Sequence, residues 1–223
     1  MKITFLGTGA ADWKISEHRD MEGFRRNSSA LIDDRLLIDP GPNVFDALDT
    51  FGKNASDIKY IINTHRHKDH FREETVAALP GAEYVPFESG ETKSVGPYTV
   101  IALPANHSAK GTVHFIISDG ESRIFYGLDG AWLTYEEVGA IKKEPIDFAV
   151  LDATIGDIAG DYRVFEHNSL SMIIEMKKSL EKHVKRFSIS HMARTLHGSH
   201  DELKKSMEEH GIEVAFDGWE TEI

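Results

Sequence analysis

The feature that most constrains this chain is HRHKDH (65–70), which places three imidazoles and a carboxylate within six positions. It follows IKYII (58–62), a run whose isoleucines and tyrosine predict a β-strand. Side chains two positions apart in an extended segment point the same way, so His65 and His67 can bind one cation together. Asp69 and His70 fall at the start of a predicted helix, so their side chains project in different directions from those of His65 and His67. This placement suits a second cation. The spacing therefore predicts a two-metal site at a strand end rather than a polar loop that is histidine-rich by chance, and two metals can activate a water.

Composition limits what such a site can be made of. The chain of 223 residues contains no cysteine, so thiolate ligands and disulfides are excluded and any metal must be bound by imidazole and carboxylate. The net charge of −12 argues against long nucleic acid as a partner, because such binders usually present a basic face. The first apolar run (3–6) is too short for a signal peptide, and no run approaches a membrane span. We therefore expect a cytoplasmic protein with no membrane partner.

Short apolar runs and helical patterns alternate along the whole chain. Their mixture, without repeats or an obvious linker, predicts two sheets packed face to face with helices outside, in one domain spanning 1–223. The predicted strands are 2–6, 29–33, 35–39, 58–62, 98–103, 113–118, 123–127 and 148–152. The predicted helices are 42–52, 68–79, 133–143, 168–183 and 199–210.

The HRHKDH run resembles the signature of the metallo-β-lactamase superfamily. That resemblance implies an α/β fold, a four-layer αββα sandwich with one or two metals at the sheet edge. It also implies a lone histidine after the next β region, which PANHS supplies as His107. A metal-bridging acid is expected after a later strand, and RIFYGLDG supplies Asp129. A last histidine is expected at the end of a late strand, and FSISHMART supplies His191.

The resemblance divides these residues between two divalent metal ions. All of the donors are nitrogen or oxygen, which is compatible with Zn²⁺ or Mn²⁺. Asp39 in LLIDPGP matches a position where an acid supports a ligand without touching metal, although a turn-forming Asp before Pro-Gly is an almost equally good interpretation. The implied metal ligands are His65, His67 and His107 on one ion, Asp69, His70 and His191 on the other, and Asp129 between them.

Other segments resemble the phosphodiesterase branch, which contains tRNase Z and the phosphoribosyl cyclic phosphodiesterase of phosphonate utilisation. These segments are FLGTGAAD, RRNSSALI, LLIDPG, PANHSA, FEHNSLSMIIEM and VAFDGWETEI. By this resemblance His167, in FEHNS, is a candidate general acid that is not a metal ligand. Asp69 is expected to orient the metal-activated hydroxide. The alternative for His167 is that it only flanks the helix beginning at Asn168.

The resemblance implies a dinuclear metal-dependent hydrolase, and within that class a phosphodiesterase acting on a small cyclic or nucleotide-like phosphodiester. It also allows a homodimer. The chain departs from the phosphoribosyl enzyme between Trp13 and Glu22, where the relative has cysteines that hold a structural zinc. Whether this loop shapes the substrate pocket stays open, and no substrate-binding residue is assigned. Arg25, Arg26 and Arg194 could meet a phosphate, but charged residues are more often simply solvated.

Three alternatives remain at this stage. A lactonase or other carboxylic-ester hydrolase could use the same scaffold, since fold does not fix chemistry. A tRNase Z-like RNA endonuclease is disfavoured by the net charge and by the lack of a long basic insertion. A di-metal protein without hydrolytic activity would carry the same ligands.

Overall fold

The computed structural model describes residues 1–223 and contains two β-sheets with helices on their outer faces. The strands are β1 (Lys2–Gly7), β2 (Ser29–Ile32), β3 (Leu36–Ile38), β4 (Tyr60–Ile62), β5 (Glu83–Tyr84), β6 (Thr92–Val95), β7 (Tyr98–Pro104), β8 (Val113–Ser118), β9 (Arg123–Gly127), β10 (Ile146–Asp152), β11 (Val184–Ser190), β12 (Ile212–Val214) and β13 (Glu220–Glu222). The helices are α1 (Ile15–His18), α2 (Val44–Thr50), α3 (Glu73–Ala77), α4 (Tyr135–Lys143), α5 (Leu170–Leu180) and α6 (His200–Glu208), with 3₁₀ turns at Ala55–Asp57 and Tyr162–Phe165.

Three apolar clusters define the layers. One sheet has the order β13-β1-β2-β3-β4-β5 and the other the order β12-β11-β10-β9-β8-β7-β6. Alternate residues of the strands face opposite sides, so Phe115 lies in the core between the sheets while Ile116 packs outward. The outward face of the first sheet packs against α2, through Val44 and Leu48, and that of the second packs against α4, α5 and α6. These four layers confirm the predicted αββα architecture.

All of the segments predicted to carry the site leave the sheets at one edge. Strands β3 and β4 are parallel in the first sheet, and β9, β10 and β11 are parallel in the second. Strand β7 runs the same way as β9, because each is antiparallel to β8. The carboxyl ends of these six strands therefore face one common cleft, and the loops after them can assemble a site.

One predicted helix is wrong at its start. The expected helix over 68–79 is helical only at α3, because His70 N and Phe71 N both donate to His67 O and form a turn first. Arg72 is then extended, with its backbone N–H donating to Pro40 O over 3.0 Å. This turn is what directs the side chains of Asp69 and His70 into the cleft.

Strand β11 was implied only by the resemblance, as the late strand before His191, and four short strands, β5, β6, β12 and β13, were not predicted. They lie at or next to the sheet edges and are two to four residues long, as in the TKSV of β6. A pattern this short and polar does not identify a strand by periodicity.

None of the six helices combines the length and apolar character needed to cross a bilayer.

Candidate metal centre

Three of the site residues have an uncommon backbone conformation. Asp39, Asp129 and His191 follow β3, β9 and β11 and have φ values of 58°, 59° and 63°, in the left-handed region. A non-glycine residue in this region costs about 1 kcal/mol or more, and such residues cluster at functional sites. The sharp change of direction turns each side chain from the strand end into the cleft.

His65, His67 and His107 form the first group of potential ligands. Their ring centroids lie 4.6, 5.1 and 5.2 Å apart, and one nitrogen of each ring lies within 4.8 Å of the others. His107 Nδ1 faces the backbone oxygen of Glu166 at 3.3 Å, which leaves its Nε2 facing His67 Nδ1 at 3.4 Å. The structure therefore brings together the three residues predicted to hold one metal.

Asp69, His70 and His191 form the second group. The two Nε2 atoms of the histidines are 3.1 Å apart, and Asp69 Oδ2 lies 3.4 Å from the first and 3.9 Å from the second. His70 and His191 are both buried, while Asp69 is half-buried at the cavity wall. These are the three residues predicted to hold the other metal.

Asp129 lies between the two groups. Its Oδ2 is 2.5 Å from His70 Nε2 and 3.2 Å from His191 Nε2, on the side of the second group. Its Oδ1 is 4.0 Å from His107 Nε2, on the side of the first group. The carboxylate thus presents one oxygen to each group, a placement that suits a ligand shared by both groups.

Asp39 holds two of the imidazoles in place. Its Oδ2 is 2.9 Å from His70 Nδ1, and because an ionised carboxylate can only accept, that nitrogen carries the proton. The Thr64 hydroxyl lies 3.0 Å from Asp39 Oδ1 and donates to it, so Thr64 Oγ1 accepts from His65 Nδ1 at 2.9 Å. Both Nε2 lone pairs consequently point into the centre, an arrangement typical of metal-binding histidines. The contact also favours the supporting role for Asp39 over a turn-forming one alone.

Asp152 and Thr154 repeat this arrangement on the second sheet. Thr154 Oγ1 lies 2.8 Å from His191 Nδ1 and 3.2 Å from Asp152 Oδ2. Asp152 is fully buried and also accepts from His167 Nδ1 at 2.9 Å. His167 is half-buried, and its ring stacks on that of His191 at 5.6 Å.

The donor set fits a cation. One buried side-chain atom at the centre, His65 Nε2, has no hydrogen-bond partner, and Asp129 Oδ2 faces the Nε2 atoms of His70 and His191. Burial lowers the pKa of His65 to about 2, so its ring is neutral and its lone pair is free to bind metal. Imidazole nitrogens and carboxylate oxygens that converge in this way form a donor set that a divalent cation binds, displacing protons from the imidazoles as it does so.

The cleft above these groups is a cavity of about 200 Å³. Its walls include His67, Asp69, His107, Asp129, His167 and His191.

The other histidines near His191 in sequence do not compete with it as metal ligands. His197 Nε2 donates to Ala153 O over 2.7 Å, and His200 Nδ1 faces Arg25 Nη2 at 3.0 Å.

The sequence reasoning missed Asp152, Thr154 and Thr64. Asp152 ends the predicted strand 148–152, and Asp129 similarly lies just beyond the end of a predicted strand, so the position was a usable signal. The threonines gave no signal, because nothing in a sequence distinguishes a threonine whose hydroxyl relays a hydrogen bond from any other threonine.

Two facing sheets flanked by helices, with a histidine- and aspartate-rich cleft at one edge, define the metallo-β-lactamase fold, and this chain has that fold. It is similar in structure to the metallo-β-lactamase fold protein YhfI from Bacillus subtilis, with a TM-score of 0.75, 16% identity and coverage of 99% of this chain and 98% of that one.

Two further solved structures are similar over the whole chain. A diphosphatase of the PhnP family has a TM-score of 0.72 and 19% identity over 100% of this chain and 97% of its own. The human short-form tRNase Z has the same score and identity over 100% of this chain and 99% of its own. Residues 1–76 match the family model of the anti-Pycsar protein Apyc1. No curated protein sequence matches the chain.

Proposed function

We propose that the protein is a dinuclear metal-dependent phosphodiesterase that cleaves a small cyclic or nucleotide-like phosphodiester. The observation that carries this proposal is the placement of His167. Its Nδ1 lies 2.9 Å from Asp152 Oδ2, so that nitrogen is not free for a metal, and its ring lines the same cavity as the ligand groups. A site built only to bind metal has no need of such a residue.

The seven predicted ligands would hold two divalent ions, with Zn²⁺ or Mn²⁺ compatible with their nitrogen and oxygen donors. When bound, the ions would supply Lewis acidity, which lowers the pKa of water and neutralises charge on a phosphoryl group. The distances between these side chains support the predicted division of the ligands between two ions. One ion would be held by His65, His67 and His107 and the other by Asp69, His70 and His191, with Asp129 between them.

Asp69 is proposed to orient the attacking water. Its carboxylate lies at the wall of the cavity, beside His70 and His191, where it can accept a hydrogen bond from a water in the cleft. The neighbouring imidazoles hold the pKa of Asp69 well below its usual range, although burial alone would raise it. The carboxylate therefore stays ionised and able to accept a hydrogen bond at neutral pH.

His167 is proposed to protonate the leaving oxygen. Burial alone would lower the pKa of its ring, but the charge of Asp152 and the hydrogen bond to it raise the pKa above its ordinary value. The imidazolium form is favoured accordingly, with Nδ1–H donating to Asp152 and Nε2–H available to the cavity. A departing alkoxide needs such a donor, because it is too basic to leave unprotonated.

The size of the cleft and the charge of the chain support a small substrate. A cavity of about 200 Å³ is large enough for a small phosphodiester, and the net charge of −12 disfavours a long polyanion. The similarity to a PhnP-family diphosphatase and to tRNase Z supports phosphoester chemistry on this fold.

The proposal can be tested with a substrate panel. Purified protein supplied with defined Mn²⁺ or Zn²⁺ is assayed on an aryl phosphodiester, a cyclic nucleotide and a lactone. We expect metal-dependent turnover of the phosphodiesters, with little activity toward the lactone. Turnover of the lactone without any phosphodiester cleavage would show instead a carboxylic-ester hydrolase.

A further inference from the structure

A second cavity, larger than the one above the metal centre, lies between the N-terminal loop and the connection from β11 to α6. Its volume is about 510 Å³, within the range typical of small-molecule sites. The apolar part of its wall comes mainly from Trp13, Met21, Met192 and Leu203. Both cavities are lined by Ala193, so they are neighbours. The loop from Trp13 to Glu22 therefore shapes this second cavity.

Arg25 lines this cavity and makes no direct ion pair, although Thr8 links it to the carboxylate of Asp217. The residue is 8% exposed and donates to Thr8 Oγ1, to Ala215 O and toward His200 Nδ1, none of which is a carboxylate. The next residue, Arg26, is in contrast paired with Asp46 at 2.6 Å. Burial lowers the pKa of Arg25, and the nearby charge of Asp217 offsets this lowering only in part. The carboxylate of Asp217 reaches this charge only through the Thr8 hydroxyl, so an anion in direct contact with Arg25 in the cavity would stabilise it further.

Arg194 adds a second unsatisfied cation to the same wall. Its backbone N–H donates to Asp12 over 2.9 Å, but its side-chain Nε is buried and has no hydrogen-bond partner. Two acids, Glu22 and Asp201, also line the cavity, and both are exposed. The unpaired positive groups thus lie deeper than the negative ones.

We propose that this cavity binds a small organic anion, with its phosphate or carboxylate group on Arg25 and Arg194 and its apolar part against Trp13 and Met21. Guanidinium groups suit such oxyanions because they donate two parallel hydrogen bonds. The occupant is either a distal part of the substrate or a separate effector molecule, since both would present the same chemistry. The binding itself does not depend on which reaction the metal centre performs.

Titration calorimetry with phenyl phosphate tests the proposal on the metal-loaded protein. Arg194→Gln removes one cation from a half-exposed position, and Met21→Trp fills the cavity without changing its charge. Arg35→Gln is the matched control, because it removes an exposed arginine outside the cavity wall. We expect affinity to fall about tenfold in the first two variants and to stay unchanged in the control.

Two results would overturn the proposal. One is equal affinity in all four proteins, with binding lost when the metals are chelated, which would mean that phenyl phosphate binds only at the metal centre. The other is an equal loss in Arg194→Gln and Arg35→Gln, which would mean a nonspecific effect of charge. Binding that weakens only in the two cavity variants and persists after chelation supports it.

Steady-state kinetics then distinguish the two sources of the anion. If the occupant is part of the substrate, Arg194→Gln raises KM and weakens competitive inhibition by phenyl phosphate. If it is a separate effector, phenyl phosphate changes kcat in the parent protein and not in Arg194→Gln.

Discussion

Replacing His167 with alanine separates proton donation from metal binding. The ring makes its defined hydrogen bond through Nδ1, at 2.9 Å from Asp152 Oδ2. Without it, Asp152 still accepts from the backbone N–H groups of Asp129, Thr154 and Asn168, at 2.9–3.1 Å. The residue is half-buried and is not in either predicted ligand group. We therefore expect His167→Ala to fold normally and to keep its full metal content.

The loss of activity should depend on the leaving group. General acid catalysis contributes about 10²–10⁴-fold, or roughly 3–5 kcal/mol, when the leaving group is a basic alkoxide. An acidic leaving group such as p-nitrophenolate departs without a proton and should lose much less. The sensitive measurement is kcat/KM for an alkyl and a p-nitrophenyl diester of the same phosphate, compared between the parent protein and His167→Ala.

The control is His210→Ala, which removes an exposed histidine at the end of α6. Metal content by elemental analysis and the thermal midpoint are measured for each protein. An equal loss on both diesters would refute the general-acid role and would point to a structural role for the ring. A loss of metal in His167→Ala would show that it is a ligand.

Three further predictions concern the metal centre. His67→Ala should lower metal content, because His67 belongs to the first ligand group, and full occupancy by elemental analysis would contradict this assignment. Asp39→Asn should weaken metal binding about 10–100-fold without removing a ligand, measured by competition with a chelator, because Asp39 fixes His70 and His65 through Thr64. Metal uptake at pH 7 should release about one proton or more, and affinity should fall as pH falls. Burial alone would lower the pKa of His191, but Asp129, Asp152 and Asp69 raise it to about 10, so the metal-free ring is protonated at pH 7. Calorimetry in buffers of different ionisation enthalpy measures this release, and none would contradict the prediction.

Much of the site followed from the sequence because its residues occupy strand ends. His65, His107 and Asp129 each come shortly after an apolar run that the structure confirms as a strand, with one short loop between. Apolar runs are local signals, and the polar residues that follow them are easily identified. The resemblance then grouped residues as far apart as His70 and His191, whose nearest nitrogens lie 3.1 Å apart.

The rest depended on contacts that no local pattern records. The turn at 68–70 replaces the first part of a predicted helix because the chain there bonds to Pro40, which lies in another segment. Strands β1 and β13 pair residues as far apart in the sequence as Lys2 and Glu222, and the sequence of neither strand indicates its pairing partner. The lack of a direct ion pair at Arg25 is likewise visible only in the folded structure, since Arg26 beside it is paired with Asp46 and Asp217.

Each predicted metal takes ligands from both sheets. His65 and His67 follow β4 of the six-stranded sheet, and His107 follows β7 of the seven-stranded one, while Asp69 and His70 face His191 in the same way. Unfolding must then break metal bonds, and each occupied site would stabilise the native state by about 2.7 kcal/mol at a free metal concentration of about 100 times Kd. The resistance of this protein to heat and to proteases would therefore rise and fall with the supply of metal around it, apart from any effect on catalysis.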